Sequence, residues 1–208
     1  MASLIKSRQR VVDHGEVFTP PVIVDAMLDL VKTESERIDS RFLEPACGSG
    51  NFLIAVLRRK LATVEARYGK SEFERRHYAL LALMSLYGIE ILEDNVEECR
   101  TLLLDEFGQF VGNDPAWLAA GRAALEANIV WADAITMKLC PEGKRPIAFA
   151  EWSYLGRGRF QRRDFLYVNL AHMSSLRADT LFGTIAQDDP FEPMREYPPM
   201  TFEEVARV

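Results

Sequence analysis

Phe42-Leu43-Glu44-Pro45-Ala46-Cys47-Gly48-Ser49-Gly50-Asn51-Phe52 is the stretch of this 208-residue chain on which the fold turns. Phe42-Leu43-Glu44 is a short apolar run ending in an acid and reads as a buried strand. Cys47-Gly48-Ser49-Gly50 reads as a turn. From there Phe52, Leu53, Val56, Leu57 and Leu61 recur at three- and four-residue steps, the period of a helix. Glycines in such a turn let the backbone approach a ligand with no Cβ in the way. In open α/β sheets, ligands bind outside the carboxyl ends of the strands. The stretch is not the dinucleotide fingerprint, because the third glycine is missing and the acid precedes the turn. It is not a phosphate loop either, because no Gly-Lys-Ser/Thr follows. An acid before the turn suits a ligand with a cationic amine instead of a pyrophosphate.

Upstream, Thr19-Pro20-Pro21 reads as a helix start, with the Thr19 hydroxyl at the cap and proline where its missing N–H is harmless. Ile23, Met27, Leu30 and Val31 then lie on one helical face. Downstream, a helix is predicted over Glu72–Leu86, a strand over Tyr87–Ile91 and a helix over Asn95–Phe107. Asp114-Pro115 caps and opens another helix toward Ala127. Asn128–Trp131 is a strand ending at Ala132-Asp133. Ile147–Trp152 and Phe160–Val168 read as a hairpin-like pair joined through Gly156 and Gly158. Pro190, Pro193, Pro198 and Pro199 break regularity near the C-terminus, where Thr201 and Glu204 form a capping box. Strand–helix alternation at this spacing means a mostly parallel sheet covered by helices.

Composition narrows the class. Hydrophobic residues make up 48% and charged residues 27%, which fits a globular domain with a sizeable core. No run is long enough for a membrane span, and Lys6, Arg8 and Arg10 are not followed by the apolar core of a secretory signal. Cys47, Cys99 and Cys140 show no metal-ligand spacing, and a reduced intracellular, cytoplasmic setting is the expectation. Net charge is −6, yet the segment from Lys138 to Asp164 is +4, leaving −10 for the rest. A local basic stripe on an acidic protein can meet phosphate.

The chain resembles the S-adenosylmethionine-dependent DNA methyltransferases that modify the exocyclic amine of adenine, in particular the modification proteins of bacterial restriction–modification systems. Four pieces carry the resemblance, in the family's order: Phe18-Thr19-Pro20-Pro21, Glu44 through Phe52, Tyr87-Gly88-Ile89-Glu90-Ile91, and Asn128 through Ala134. They span roughly Val17 to Ala134. The resemblance implies a three-layer α/β, Rossmann-like sheet with helices on both faces. It also implies a methyltransferase-like domain over 1–170, with an N-terminal helical element at 1–40 and an irregular extension at 171–208. S-adenosylmethionine would be held by Phe18, Thr19, Glu44, Ala46, Gly48, Gly50, Asn51, Phe52, Glu90, Ile91, Asp133 and Ala134. Glu90 would take both ribose hydroxyls and Asp133 the adenine amine. One carboxylate accepting two hydrogen bonds from vicinal hydroxyls is good chemistry in its own right. Cys47 reads as a small apolar filler of the turn, and His14, His77 and His172 as surface or packing residues.

The family's catalytic tetrapeptide, Asp/Asn/Ser-Pro-Pro-aromatic, is missing. Asn113-Asp114-Pro115 comes too early in the chain and reads as a helix cap. Tyr197-Pro198-Pro199-Met200 lacks both the acceptor and the following aromatic. Glu151-Trp152-Ser153-Tyr154 is in the right place without the prolines, which makes Glu151 and Tyr154 the degenerate catalytic candidates. The stretch Phe149–Tyr167, with Arg157, Arg159, Arg162 and Arg163, could contact phosphate and stack a base. DNA is the expected partner, and sequence choice would need a specificity or catalytic subunit. Three readings follow: an adenine methyltransferase or its cofactor-binding part, completed in trans if split; a non-catalytic subunit that keeps the cofactor pocket; or, less well supported by the loop, a small-molecule methyltransferase.

Overall fold

Short strands that end in acids, the first two each followed by a pair of helices, build the sheet that frames the candidate site. In a computed structural model, residues 6–14, 16–17, 19–169 and 192–208 are described. Strands β1 (Phe42–Glu44), β2 (Leu86–Glu90) and β3 (Ile129–Asp133) are parallel and adjacent. A two-residue β4 (Lys138–Leu139) closes the sheet antiparallel to β3. Phe42 stands opposite Leu86, Glu44 opposite Gly88 and Glu90 opposite Trp131, so all three strands end on the same side. Helices α4 (Asn51–Tyr68) and α5 (Glu72–Met84) connect β1 to β2, and α6 (Glu93–Val111) and α7 (Pro115–Asn128) connect β2 to β3. Successive right-handed crossovers stepping in one direction put their helices on one face. Leu86 and Ile129 accordingly bury against Leu53, Val56, Leu57 and Leu103. The alternate positions Tyr87, Ile89, Val130 and Ala132 point the other way and pack under Ile147 and Phe149.

The chain then forms a second, antiparallel sheet: β5 (Ala148–Gly156), β6 (Arg159–Leu166) and β7 (Arg195–Glu196). Its hairpin turns through Gly156, Arg157 and Gly158, all with positive φ. The first four-residue helix after β7, α8 (Phe202–Val205), carries the expected box: Thr201 N–H donates to Glu204 at 2.7 Å, and Glu204 N–H returns to Thr201 Oγ1 at 3.4 Å. Asp114 caps α7 by accepting from Ala116 N–H at 3.0 Å. Among the described residues no helix is long and apolar enough to cross a membrane.

Two expectations about the N-terminal region need correcting. Before them runs α1 (Arg8–His14), and α2 covers Pro21–Leu30, followed by α3 (Lys32–Glu36). The cap of α2 is Pro20, with no side-chain cap bond, and Pro21 takes the first helical position, so Thr19 is one residue too early to cap. Nor is the face bearing Ile23, Met27, Leu30 and Val31 the buried one. α2 lies on α4 through Val24 and Leu28, and the apolar flank beside them stays exposed, Leu30 to 87%.

One buried residue is hidden by its charge, although it sits at helical spacing among apolar ones. Lys60, in an Arg-Arg-Lys run, is fully buried on α4. Its Nζ donates to the carbonyls of Ile38 and Ser40 and to Ser85 Oγ, tying the approach to β1 to the turn before β2. Burial pushes its pKa down to about 7.

Candidate functional site

The three parallel strands deliver an acid each to one crevice. It has a volume of about 540 Å³, within the range of small-molecule sites. Glu44, Glu90 and Asp133 all line it, together with the loop Pro45–Gly48 and the start of α4 at Asn51 and Phe52. Ten of the residues expected at a cofactor meet there: Thr19, Glu44, Ala46, Gly48, Asn51, Phe52, Glu90, Ile91, Asp133 and Ala134. Phe18 lies outside the described residues.

Gly50 does not line the crevice. It begins α4 with φ +93°, and a Cβ there would stand 2.7 Å from Cys99 Sγ. Glycine is required at that position by its conformation and by the closeness of α6. Gly48 is the glycine at the crevice itself, with φ +53°.

Each carboxylate has a different surrounding. Glu90 is 7% exposed; one oxygen accepts from Gly48 N–H at 2.8 Å and the other from Leu92 N–H at 2.9 Å. It thereby pins the glycine loop to the end of β2. Glu44 is half-buried and receives only a long 3.4 Å bond from Ala46 N–H; burial pushes its pKa up, against the pull of that bond. Asp133 caps its own turn, accepting from Ile135 N–H at 2.8 Å and from the Thr136 hydroxyl at 3.0 Å. The Ile135 and Thr136 bonds hold its pKa below the usual carboxylate range. Cys47 is buried under the loop. Its contact with Cys99 and its burial push its thiol up, which leaves it a packing residue.

The wall that sequence reasoning missed comes from Glu16, Val17 and Met27 on one side and Asn95 and Ile135 on the other. Glu16 stands two residues before the motif at Phe18. Asn95 had no signal beyond sitting in the first turn of a helix.

The catalytic candidates are elsewhere. β5 runs back across the open face of the sheet, and its middle emerges at the amino ends of the parallel strands. There Ala150 N–H donates to Asn128 Oδ1 at 3.0 Å, and the Tyr87 hydroxyl donates to the Ala150 carbonyl at 3.1 Å. Glu151 accepts from Arg41, just before β1, at 2.7 Å and from Arg163 at 2.5 Å. Tyr154 accepts from Gly158 N–H at 3.1 Å and packs against His77, Tyr78 and Phe160. At about 3.3 Å per residue, the length of β2 alone separates that end from Glu90 by roughly 13 Å. Neither residue is brought to the crevice.

Three arginines of the basic stripe are held in ion pairs. Arg162 pairs with Asp164 at 2.6 Å and lies against Trp152 and Tyr197, Arg163 pairs with Glu151, and Arg159 reaches Glu204 at 3.5 Å. Arg157 sits in the hairpin turn, beside a hollow formed with Phe73, His77, Trp117 and Phe202. His77 is buried, its Nδ1 donating to the Phe73 carbonyl at 2.6 Å, which makes it a packing residue; His172 lies outside the described residues.

No curated protein and no solved structure matches this chain. Residues 24–108, which run from α2 into α6 and include the glycine loop and Glu90, are similar to the family described as MmeI, DNA-methyltransferase domain.

Proposed function

We propose that this chain is the S-adenosylmethionine-binding part of a restriction–modification DNA methyltransferase directed at the exocyclic amine of adenine. One observation carries the reading: three successive parallel strands end in Glu44, Glu90 and Asp133 around a single crevice. The donor set fits the cofactor. Glu44, nearly free of internal bonds, can accept from the ammonium of the methionine part. Glu90 uses two of its roughly four lone-pair sites on Gly48 and Leu92, which leaves acceptors for vicinal hydroxyls. Asp133 keeps acceptor capacity beyond its turn for a base amine, and Ile91, Phe52 and Ala134 offer apolar wall to a ring. Bound there, S-adenosylmethionine supplies an electrophilic methyl group on a sulfonium. This chain's part is to hold and orient the donor, a task worth much of the rate in such transfers. Residues 1–170 form the methyltransferase unit in this reading, 171–208 an extension, and the cytoplasm is the setting in which it meets DNA.

A second reading has its own support. Glu151 is committed to Arg41 and Arg163 at the far end of the sheet, so the predicted catalytic pair offers the crevice no acceptor for the target amine. That favours transfer completed by another polypeptide, or a subunit that binds cofactor without transferring.

Calorimetric titration of the folded chain with S-adenosylmethionine is expected to give saturable one-to-one binding, and its absence would overturn both readings. Tritiated-methyl transfer to mixed-sequence duplex DNA separates them. Incorporation by the chain alone that vanishes in Glu151→Ala restores the self-sufficient enzyme. Incorporation only when the products of neighbouring genes are added supports the split form.

A further inference from the structure

The N-terminal helix is tied down by charge. No side chain of α1 whose burial is described belongs to the core. Arg10 does the holding. Its Nε and one terminal nitrogen donate to the two oxygens of Glu16 at 2.7 and 2.8 Å, and its terminal nitrogens donate to the two oxygens of Asp94 at 2.7 and 3.1 Å. It also reaches Asn95 Oδ1 at 3.2 Å, while Asn95 Nδ2 donates to Glu16 at 2.7 Å. Lys6 adds bonds to Asn95 and Glu98. Glu16 and Asn95 both line the crevice, their burial nearly complete: the Glu16 side chain is 7% exposed and Asn95 1%. One rigid five-donor fork thus joins the segment before α2 to the first turn of α6 across the crevice wall.

We propose that Arg10 is a positioning residue for this crevice: it holds Glu16, and with it the wall of Glu16, Val17 and Thr19, against Asn95, and so sets how long a ligand is retained. The inference takes its ligand from the cofactor reading above; the clasp itself rests on geometry. A wall closed by partly exposed ion pairs opens more easily than one closed by apolar packing, and salt weakens it. That suits a site which must release spent cofactor on every cycle.

The test measures S-adenosylmethionine affinity and dissociation rate in the wild type, Arg10→Ala, Arg10→Lys and, as a surface-pair control, Arg58→Ala. Hydrogen–deuterium exchange of residues 8–19 is followed in parallel. Arg10→Ala is expected to bind about tenfold more weakly, the scale of one or two charge-assisted hydrogen bonds, mainly through faster dissociation. Exchange should accelerate in 8–19 only. Arg10→Lys keeps the charge without the fork and should recover part of both, and Arg58→Ala should change neither. Wild-type affinity in Arg10→Ala overturns the proposal. If the wild type binds no cofactor, the functional reading fails and exchange alone judges the clasp: faster exchange in Arg10→Ala supports it, and unchanged exchange overturns it.

Discussion

Lys60 shows how one side chain can carry a pH dependence. Among the described residues its ammonium group has no carboxylate partner, and burial brings its pKa from 10.5 to about 7. Between those values the unfolded chain binds a proton that the folded chain does not. Stability therefore rises with pH across that window, by at most about 1.4 kcal/mol per pH unit. The three oxygens around Nζ favour the charged form and work against the full effect. Urea denaturation at several pH values from 7 to 8, below the range in which the buried Cys47 thiol would ionise on unfolding, is expected to show this rise in the wild type and a flat line in Lys60→Met. Parallel slopes in the two proteins would show that Lys60 keeps its proton when buried. The run Arg58-Arg59-Lys60 looks solvated by composition, yet position 60 follows Val56 and Leu57 at helical steps and shares the buried stripe of Leu53, Leu61 and Val64; the segment before β1 then supplies the oxygens that a buried ammonium needs. Glu44, Glu90 and Asp133 were legible for the opposite reason, since each ends an apolar run whose strand character dictates where the next side chain points.

At the level of elements, the parallel strands could be read from sequence because their direction follows from alternation, while their order could not and is settled by the pairing of β1 with β2 and of β2 with β3. The hairpin could be read as a hairpin, from Gly156 and Gly158, but its docking could not. Where β5 crosses the sheet is decided by Phe149 against Tyr87 and by Ala150 against Asn128, contacts between residues far apart in the chain. That is why Glu151, correctly placed in a strand after Asp133, sits at the end of the sheet away from the crevice. The same lack of tertiary information put the apolar flank of α2 on the page without saying that Val24 and Leu28 would be the residues it buries. The ion pairs give Glu151 a structural job with a measurable consequence. Glu151→Ala leaves Arg41 and Arg163, both reaching solvent, without their shared partner and should cost about 0.5–1 kcal/mol in urea denaturation. S-adenosylmethionine affinity should stay at the wild-type value. A loss of affinity with unchanged stability would place Glu151 at the cofactor after all.

Over the whole molecule, the crevice and the arginines of the hairpin are set at opposite ends of the sheet. The crevice is rimmed by Glu16, Glu44, Glu90 and Asp133, while the arginines of the hairpin lie at the amino ends of the strands, with Arg159, Arg162 and Arg163 in ion pairs. A duplex that presented its base to the crevice would bring phosphates toward carboxylates and away from the arginines of the hairpin, with Lys138, opposite Asp133, left on the crevice side. On a chain of net charge −6, little sequence-independent attraction is left. Affinity for DNA falls with salt in proportion to the phosphates neutralised, with a log–log slope of about −0.9 for each. This chain alone is therefore expected to bind a short duplex more weakly than about 10⁻⁵ M near physiological salt, the weak side of ordinary non-specific binding. Its slope should correspond to about one or two phosphate contacts. Fluorescence anisotropy titrations between 50 and 200 mM salt measure both quantities, with Arg162→Ala and Arg163→Ala expected to match the wild type. A slope near −5 that flattens in those variants would mean that the hairpin face meets DNA, and that the duplex reaches the crevice by a path around the sheet. A shallow slope that steepens only when a basic second polypeptide is added would assign DNA engagement to that polypeptide and leave this chain the task its geometry suits, holding the methyl donor.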